Sequence, residues 1–286
     1  LEVLDWFTGE TFVISPEEIE KQLKEQGASL TTSLKYNPLA YVAKWNVKSD
    51  GTWDKNHTIP ASKDDRTYLM DWNTAMSKFA TAQSIQGSTE TYRLPSLEAW
   101  HGIVKYASAQ AFGRASVRYN EISQVEVAGQ KFNATDDYKS TTMTVSGSLV
   151  KCNVALRFKG DDPTEKQYRS AWLYYRGTNV VNGKSVNGLW IYCVNISGRQ
   201  GISTVDNLDQ AFWDQSLSSA VVRFFPAAGS SNGSQGTGGH YWSATEGGSD
   251  GAYGINFDSS LVSAYYYYPS KRYTFSIRLF SDKPVE

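Results

Sequence analysis

Two cysteines and three histidines are the side chains of this chain whose chemistry is most easily recruited. Cys152 and Cys193 stand in the β-like runs LVKCNVALRF and LWIYCVNI, while His57, His101 and His240 are scattered along 286 residues. A zinc site needs its ligands at close, recurring spacings, and this scatter provides none. Thiol chemistry needs a stabilised thiolate, and apolar strand-like surroundings favour the inert thiol instead. The two cysteines read as buried free thiols, with a bridge between them left open. No G-x-S-x-G elbow presents a serine nucleophile. His240, in GGHYW, reads as an exposed loop histidine. Asp161 and Asp162, in GDDPTE, read as a solvated turn, and NATDD (Asn133 to Asp137) lacks the oxygen-ligand spacing of a calcium loop. These residues predict no enzyme, no metal site and no cofactor.

A different chemistry is concentrated near the C-terminus, in AYYYYPSKRY (residues 264–273). The chain holds 18 Tyr and 9 Trp, which combine large contact area with a polar handle and so suit binding surfaces. Four consecutive tyrosines fit neither an alternating strand nor an aliphatic buried one. With Pro269 behind them they read as a displayed loop or strand edge. Tyr265, Tyr266, Tyr267, Tyr268, Lys271 and Tyr273 are the candidate contacts. Such a patch serves either recognition of a ligand or assembly with another subunit.

The elements that must position this patch are legible in part. SPEEIEKQLKEQG reads as a helix of a lead-in segment over residues 1–35, with Ser15 as N-cap. DWNTAMSKFATAQ (Asp71 to Gln83) is amphipathic, with Trp72, Ala75, Met76, Phe79 and Ala80 on one face. PSLEAW starts a further helix, with Ser96 as N-cap, Ala99 at N3, and Trp100, Ile103, Val104 and Ala107 as its apolar face. YVAKWNV (Tyr41 to Val47) reads as a strand, and DGTWDKNHTIPASKDD as a loop. Residues 124–196 read mostly as strands, DNLDQAFWDQS as a short helix, and SAVVRFFPAAG as a strand. GSSNGSQGTGG (Gly229 to Gly239) reads as a flexible loop bordering the patch. YTFSIRLF alternates, which predicts a terminal strand with Phe275, Ile277 and Leu279 inward and Thr274, Ser276 and Arg278 outward. Two helices followed by many strands, without βαβ alternation, predict an α+β fold.

Net charge is −1 and basic residues do not cluster, so nucleic acid is not an expected partner. No run of apolar residues is long enough for a transmembrane helix. The chain opens on Leu1 without a charged-then-apolar leader, and reads as a trimmed piece or a mature fragment, from which any export signal would have been removed.

Several motifs resemble known bacterial families. RLPSLEAWHGIV (Arg93 to Val104) is similar to the helix entry of bacterial C-type lectin-like domains. RFFPAAG, then a glycine-rich loop, then HYWSATE, AYGINFDSSLVS and RYTFSIRLF resemble the C-terminal signature of the Fibrobacter succinogenes major paralogous domain, a relative of the lectin-like fold. NPLAYVAKWNV is similar to an opening segment of fimbrillin-like surface proteins of anaerobic gut bacteria. The resemblance covers residues 36–281. It implies a C-type lectin-like domain over 36–286, with two helices, a small twisted antiparallel sheet, long loops and a β-rich insertion around 124–200. Trp242, Tyr253, Phe257, Phe275 and Ile277 would then be scaffold.

The resemblance also implies a use: a cell-surface or pilus-associated adhesin-like protein that recognises a host or bacterial protein or glycan. Some bacterial members of the lectin-like fold are the variable proteins of diversity-generating retroelements. Ser249, Asp250, Asn256, Asp258, Ser260, Ser263 and Tyr265 to Tyr268 occupy the kind of position varied there. Asp250, Asn256, Asp258, Ser260 and His240 would add polar specificity around the tyrosines. The formylglycine-generating enzymes share that fold but need a pair of reactive cysteines, which Cys152 and Cys193 do not resemble. The calcium-ligand motifs of sugar lectins are missing, and DWN (Asp71 to Asn73) reads as core plus capping. Stacking of a sugar on aromatic rings stays open.

Overall fold

A computed structural model describes residues 2–4, 11–13, 37–104, 124–127, 130–133, 137–157, 170–258 and 262–285. The helix expected at Ser15, Ala107, Asp161, Asp162 and Ser260 lie outside the described residues. The strands are β1 (Glu2–Leu4), β2 (Thr11–Val13), β3 (Asn46–Val47), β4 (Trp53–Asp54), β5 (Met70–Asp71), β6 (Gln83–Ser84) and β7 (Thr91–Arg93). There follow β8 (Gln124–Val127), β9 (Gln130–Asn133), β10 (Asp137–Val145), β11 (Ser148–Arg157), β12 (Ser170–Val181), β13 (Lys184–Asn195) and β14 (Val221–Pro226). The chain closes with β15 (Gly239–Glu246), β16 (Ala252–Phe257), β17 (Val262–Tyr268), β18 (Thr274–Phe275) and β19 (Phe280–Ser281). The α-helices among the described residues are short: α1 (Trp72–Phe79), α2 (Leu97–His101) and α3 (Gln210–Ser216).

This architecture overturns the expected α+β, C-type lectin-like fold. The described chain is β-rich, a set of antiparallel sheets carrying short helices. The largest sheet is a five-stranded meander, β10-β11-β12-β13-β14, and β15-β16-β17 form a separate three-stranded sheet. The helical signals were real but brief. Asp71 caps α1, its carboxylate accepting from Thr74 N at 3.0 Å, and Trp72, Ala75 and Phe79 are buried as read. The helix stops at Phe79, however, and Ala80 is exposed. Ser96 caps α2, its hydroxyl accepting from Ala99 N at 3.1 Å.

The centre of the meander, around Cys152–Arg157, Ser170–Tyr175 and Leu189–Val194, is buried on both faces, which accounts for its nearly continuous apolar runs there. One face sends Ala155, Trp172, Tyr174, Leu189, Ile191, Cys193 and Phe225 into a core shared with Leu39, Trp100, Tyr241 and Phe257. The other sends Cys152, Val154, Leu156, Leu173 and Val194 against Leu208 and Trp213, the latter from α3. Cys152 pairs with Tyr175 across β11–β12, and Cys193 with Trp172 across β12–β13. The two thiols therefore sit two strands apart on opposite faces, and both are free. The open question of a bridge is closed by the pleat.

Two strand expectations are corrected. The segment Tyr41 to Val47 ends a 3-10 turn (Pro38–Tyr41) and reaches strand geometry only in β3, while part of the expected loop forms β4 opposite it. YTFSIRLF does not have one wet face. Phe275, Ile277 and Leu279 are buried, and so are Thr274, Ser276 and Arg278. Arg278 is 0% exposed because its guanidinium replaces ladder bonds that the irregular 41–45 stretch lacks. It donates to the carbonyls of Ala43 (2.8 Å), Lys44 (2.7 Å) and Phe224 (2.7 Å) and to Asn46 Oδ1 (2.9 Å). Arg223 does the same for the carbonyls of Val42 (2.6 Å) and Val285 (2.7 Å).

Candidate functional site

The three-stranded sheet carries the tyrosine run, and tryptophans hold it in place. Trp72 Nε1 donates to the Ser243 carbonyl (2.8 Å), Trp100 Nε1 to that of Trp242 (3.3 Å), and Trp242 Nε1 to that of Met70 (3.0 Å). Each bond ties α1, α2 or β5 to β15. On this frame β17 is the outer strand, hydrogen-bonded to β16.

The run is split by the pleat. Tyr267, opposite Tyr253, is 44% exposed, and the two rings lie 5.5 Å apart. Its ring occupies a seat that two glycines keep clear. A Cβ at Gly247 would come within 2.6 Å of the Tyr267 ring, and one at Gly251 within 2.4 Å of its hydroxyl. Tyr268 faces the opposite way and is buried, against its reading as a displayed contact. Its ring lies 4.3 Å from Phe275 and 5.4 Å from Trp242, and its hydroxyl 2.8 Å from His240 Nδ1. Alternation along a strand requires this outcome, because neighbouring side chains cannot share a face. Tyr265 and Tyr266 continue the backbone of β17.

The other candidates separate in the same way. Asp250 is exposed at the 246–251 turn. Lys271, expected as a contact, is a latch for that turn. Its ammonium pairs with Glu246, donates to the Ser249 carbonyl (2.9 Å) and lies 4.8 Å from the Trp72 ring, while its amide donates to the Asp250 carbonyl (2.7 Å). Tyr273 is half-buried, its ring 6.3 Å from Phe275.

His240 is not an exposed loop residue. It lies in β15 opposite Asn256, with its ring stacked 5.2 Å from Phe275. Burial lowers its pKa to about 4, against the opposing pull of Asp258. Asn256 is buried, and Asp258 is half-buried just beyond β16.

The glycine-rich segment is not a flexible border either. Gly229 N bonds to Gly238 O (2.8 Å), Ser230 N to Gly233 O (2.8 Å), and Gly236 N to Ala227 O (2.7 Å). At Gly229, with φ +73°, a Cβ would lie 2.6 Å from Gln235 N, so this glycine serves close backbone approach.

Sequence reading missed two residues. Tyr253, assigned to the scaffold, is half-buried beside Tyr267, and the glycines spaced around it were the available signal. Arg176, in β12, lies 5.1 Å over the Phe257 ring and feels the charge of Asp258. Nothing in its local sequence marks it, because the contact joins distant strands.

The two thiols are held in their inert form. Burial pushes the Cys152 thiol up to about 12 and Cys193 well above its ordinary value, so both are protonated at neutral pH. Among the described residues, no three His, Cys, Asp or Glu side chains converge on a common point. Among them, too, no helix is long and apolar enough to cross a membrane.

Comparison with curated proteins and with solved structures gave no match. A family model described as a domain of unknown function, DUF8237, matches residues 34–280, a span that runs from the 3-10 turn before β3 to the start of β19. Since that span takes in most of the chain and the whole site built above, the protein belongs to the DUF8237 family.

Proposed function

We propose that the protein is a non-enzymatic recognition module of the cell surface, which binds a protein or glycan through the aromatic patch of Tyr267 and Tyr253. One observation carries this reading: the Tyr267 ring is 44% exposed yet seated against Tyr253 over two glycines. A large apolar ring held in one orientation gives contact area with little ordering cost on binding. Asp250, exposed on the adjacent turn, adds a polar contact at its margin. The segment NPLAYVAKWNV, similar to an opening segment of fimbrillin-like surface proteins, supports the surface location. The two buried, protonated thiols support a binding role over oxidase chemistry.

The position of β17 as the outer strand favours one further reading, in which the same patch joins subunits of a pilus or surface assembly.

The test is a protein and glycan array screened with wild type, Tyr267→Ala and Tyr253→Ala, alongside sedimentation of each. Loss of a captured ligand in both variants, with unchanged sedimentation, supports recognition. Ligand capture that survives both substitutions overturns it. Loss of an oligomer alone transfers the patch to assembly.

A further inference from the structure

The two hairpin tips of the meander share an end of the sheet and a chemistry. Among the described residues, the exposed large apolar side chains are Leu149 (77%), Val180 (67%) and Tyr267. One exposed aliphatic needs no explanation, but Leu149 and Val180 share a location. Strands β10 and β11 turn at Ser146–Gly147, and β12 and β13 at Asn182–Gly183, with φ positive at all four residues. Both turns thus have the tight backbone of a type I′ hairpin. In an antiparallel meander, the first and third turns emerge at the same end.

Alternation places the two side chains on the same side as well. Ala155, Trp172 and Tyr174 face one core, and Leu149 and Val180 stand an even number of residues from them in unbroken ladders. Strands β11 and β12 pair only as far as Cys152 and Tyr175, so beyond that level each hairpin runs on as its own ribbon. Opposite Leu149 stands Thr144, and opposite Val180 stands Ser185, both too short to cover an aliphatic chain. The charge on these hairpins has one sign. The chain holds 29 acidic and 28 basic residues, yet no acid occurs in 138–157 or 170–195. Lys151, two residues from Leu149, and Lys184, beside the second turn, are both exposed. Asp214, on α3, is engaged by Gln210 Nε2 (2.7 Å).

Three kinds of partner use exposed aliphatics. An added strand needs a free edge, but beside the first tip the edge of β10 is taken. Thr144 N donates to Gln210 Oε1 (2.8 Å), and Gln210 Nε2 donates to the Thr144 carbonyl (3.0 Å). A bound peptide needs facing walls, and two ribbons whose aliphatics point the same way present none. A plane needs only that both tips reach it. A bilayer surface is such a plane, taking aliphatic side chains at its acyl boundary and lysines at its anionic headgroups. We propose that the Leu149 and Val180 tips dock the protein on an anionic lipid surface, with Lys151 and Lys184 at the phosphates. Two short aliphatics and two lysines give reversible docking, not anchorage. This proposal does not depend on the tyrosine patch.

The test is cosedimentation of the full chain with vesicles of phosphatidylcholine, either alone or with about 30% phosphatidylserine added. Wild type should bind the anionic vesicles and not the neutral ones. Leu149→Ser with Val180→Ser should weaken that binding about tenfold or more, and so should Lys151→Gln with Lys184→Gln. All four side chains are exposed, so both double variants should melt as wild type does. Tyr267→Ala should bind vesicles as wild type does, which keeps this result separate from that of the recognition patch. Binding to neither vesicle, equal binding to both, or anionic binding that survives the Leu149 and Val180 substitutions overturns the proposal. Loss of a soluble oligomer in the serine variant, without vesicle binding by wild type, assigns the tips to a second copy of the chain and overturns it too.

Discussion

The hydroxyl of Tyr268 lies 2.8 Å from Nδ1 of His240, joining a tyrosine of the C-terminal run to a histidine 28 positions earlier. The pair sits in the aromatic cluster around Phe275, where an imidazolium is costly.

Acid should therefore weaken the fold. Burial lowers the pKa of His240 to about 4, and that of His57 to about 3 with Arg278 adding to the effect, from an ordinary 6.5. For a histidine held neutral in the fold, the unfolded chain binds more protons below 6.5. The stability contribution is present above that value and is lost as pH falls from 6.5 towards 4. For His240 the loss is on the order of 3 kcal/mol. His240→Gln should flatten the fall in melting temperature between pH 6.5 and 4. An identical slope in wild type and variant would sink this assignment.

Arg278 should be the least replaceable cation. It satisfies three backbone carbonyls and Asn46 from a fully buried position. A lysine cannot reproduce that fork, so Arg278→Lys should cost about 3–5 kcal/mol in urea denaturation. The exposed Arg93–Asp282 pair, at 3.0 Å, is the control, and Arg93→Ala should cost less than about 1 kcal/mol. Equal costs for the two substitutions would contradict the account.

Arg278 also shows where the sequence misleads. In YTFSIRLF it alternates with apolar residues as a solvent-facing residue would, because alternation records polarity and not burial. A guanidinium paired with distant carbonyls looks the same in sequence as one in water. Caps were legible, since Ser96 and Asp71 act within three residues of themselves. The fold was not. The motifs that resembled lectin-like domains are local strings, whereas the five-stranded meander depends on pairings such as Trp172 with Cys193 that no short string contains. In the candidate site the tyrosines were legible as a group, but which of them is displayed depended on the pleat of β17.

The glycine seat should matter as much as the ring it holds. Neither Gly247 nor Gly251 has a positive φ, so alanine is resisted by side chains: by the Tyr267 ring at Gly251, and by the rings of both Tyr267 and Tyr253 at Gly247. Gly251→Ala should displace that ring at a cost of about 1–3 kcal/mol and reduce ligand capture as Tyr267→Ala does. A Gly251→Ala protein with wild-type stability and capture would show that the seat is incidental.

The thiols should be silent in the folded protein. Cys152 and Cys193 are free, buried and on opposite faces of the meander. A thiol reagent such as Ellman's should find none in the native state and both after denaturation without reductant. Fewer than two in the denatured chain would mean that a disulfide forms after all.

Lys271 gives the sharpest separation between latch and contact. Its side chain is 11% exposed, and its ammonium pairs with Glu246, reaches the Ser249 carbonyl and covers the Trp72 ring. Lys271→Met keeps the aliphatic stem but removes all three charge interactions. The amide bond to Asp250 O survives, so the turn should loosen without leaving the sheet. The expected result is faster hydrogen–deuterium exchange at residues 247–251 and a stability loss of about 1 kcal/mol, with little change at β16. Ligand capture should then fall only as far as the turn's disorder unseats Tyr267, and added ligand should slow the exchange again. If capture is abolished while exchange at the turn is unchanged, Lys271 touches the ligand directly and its role as a latch is wrong.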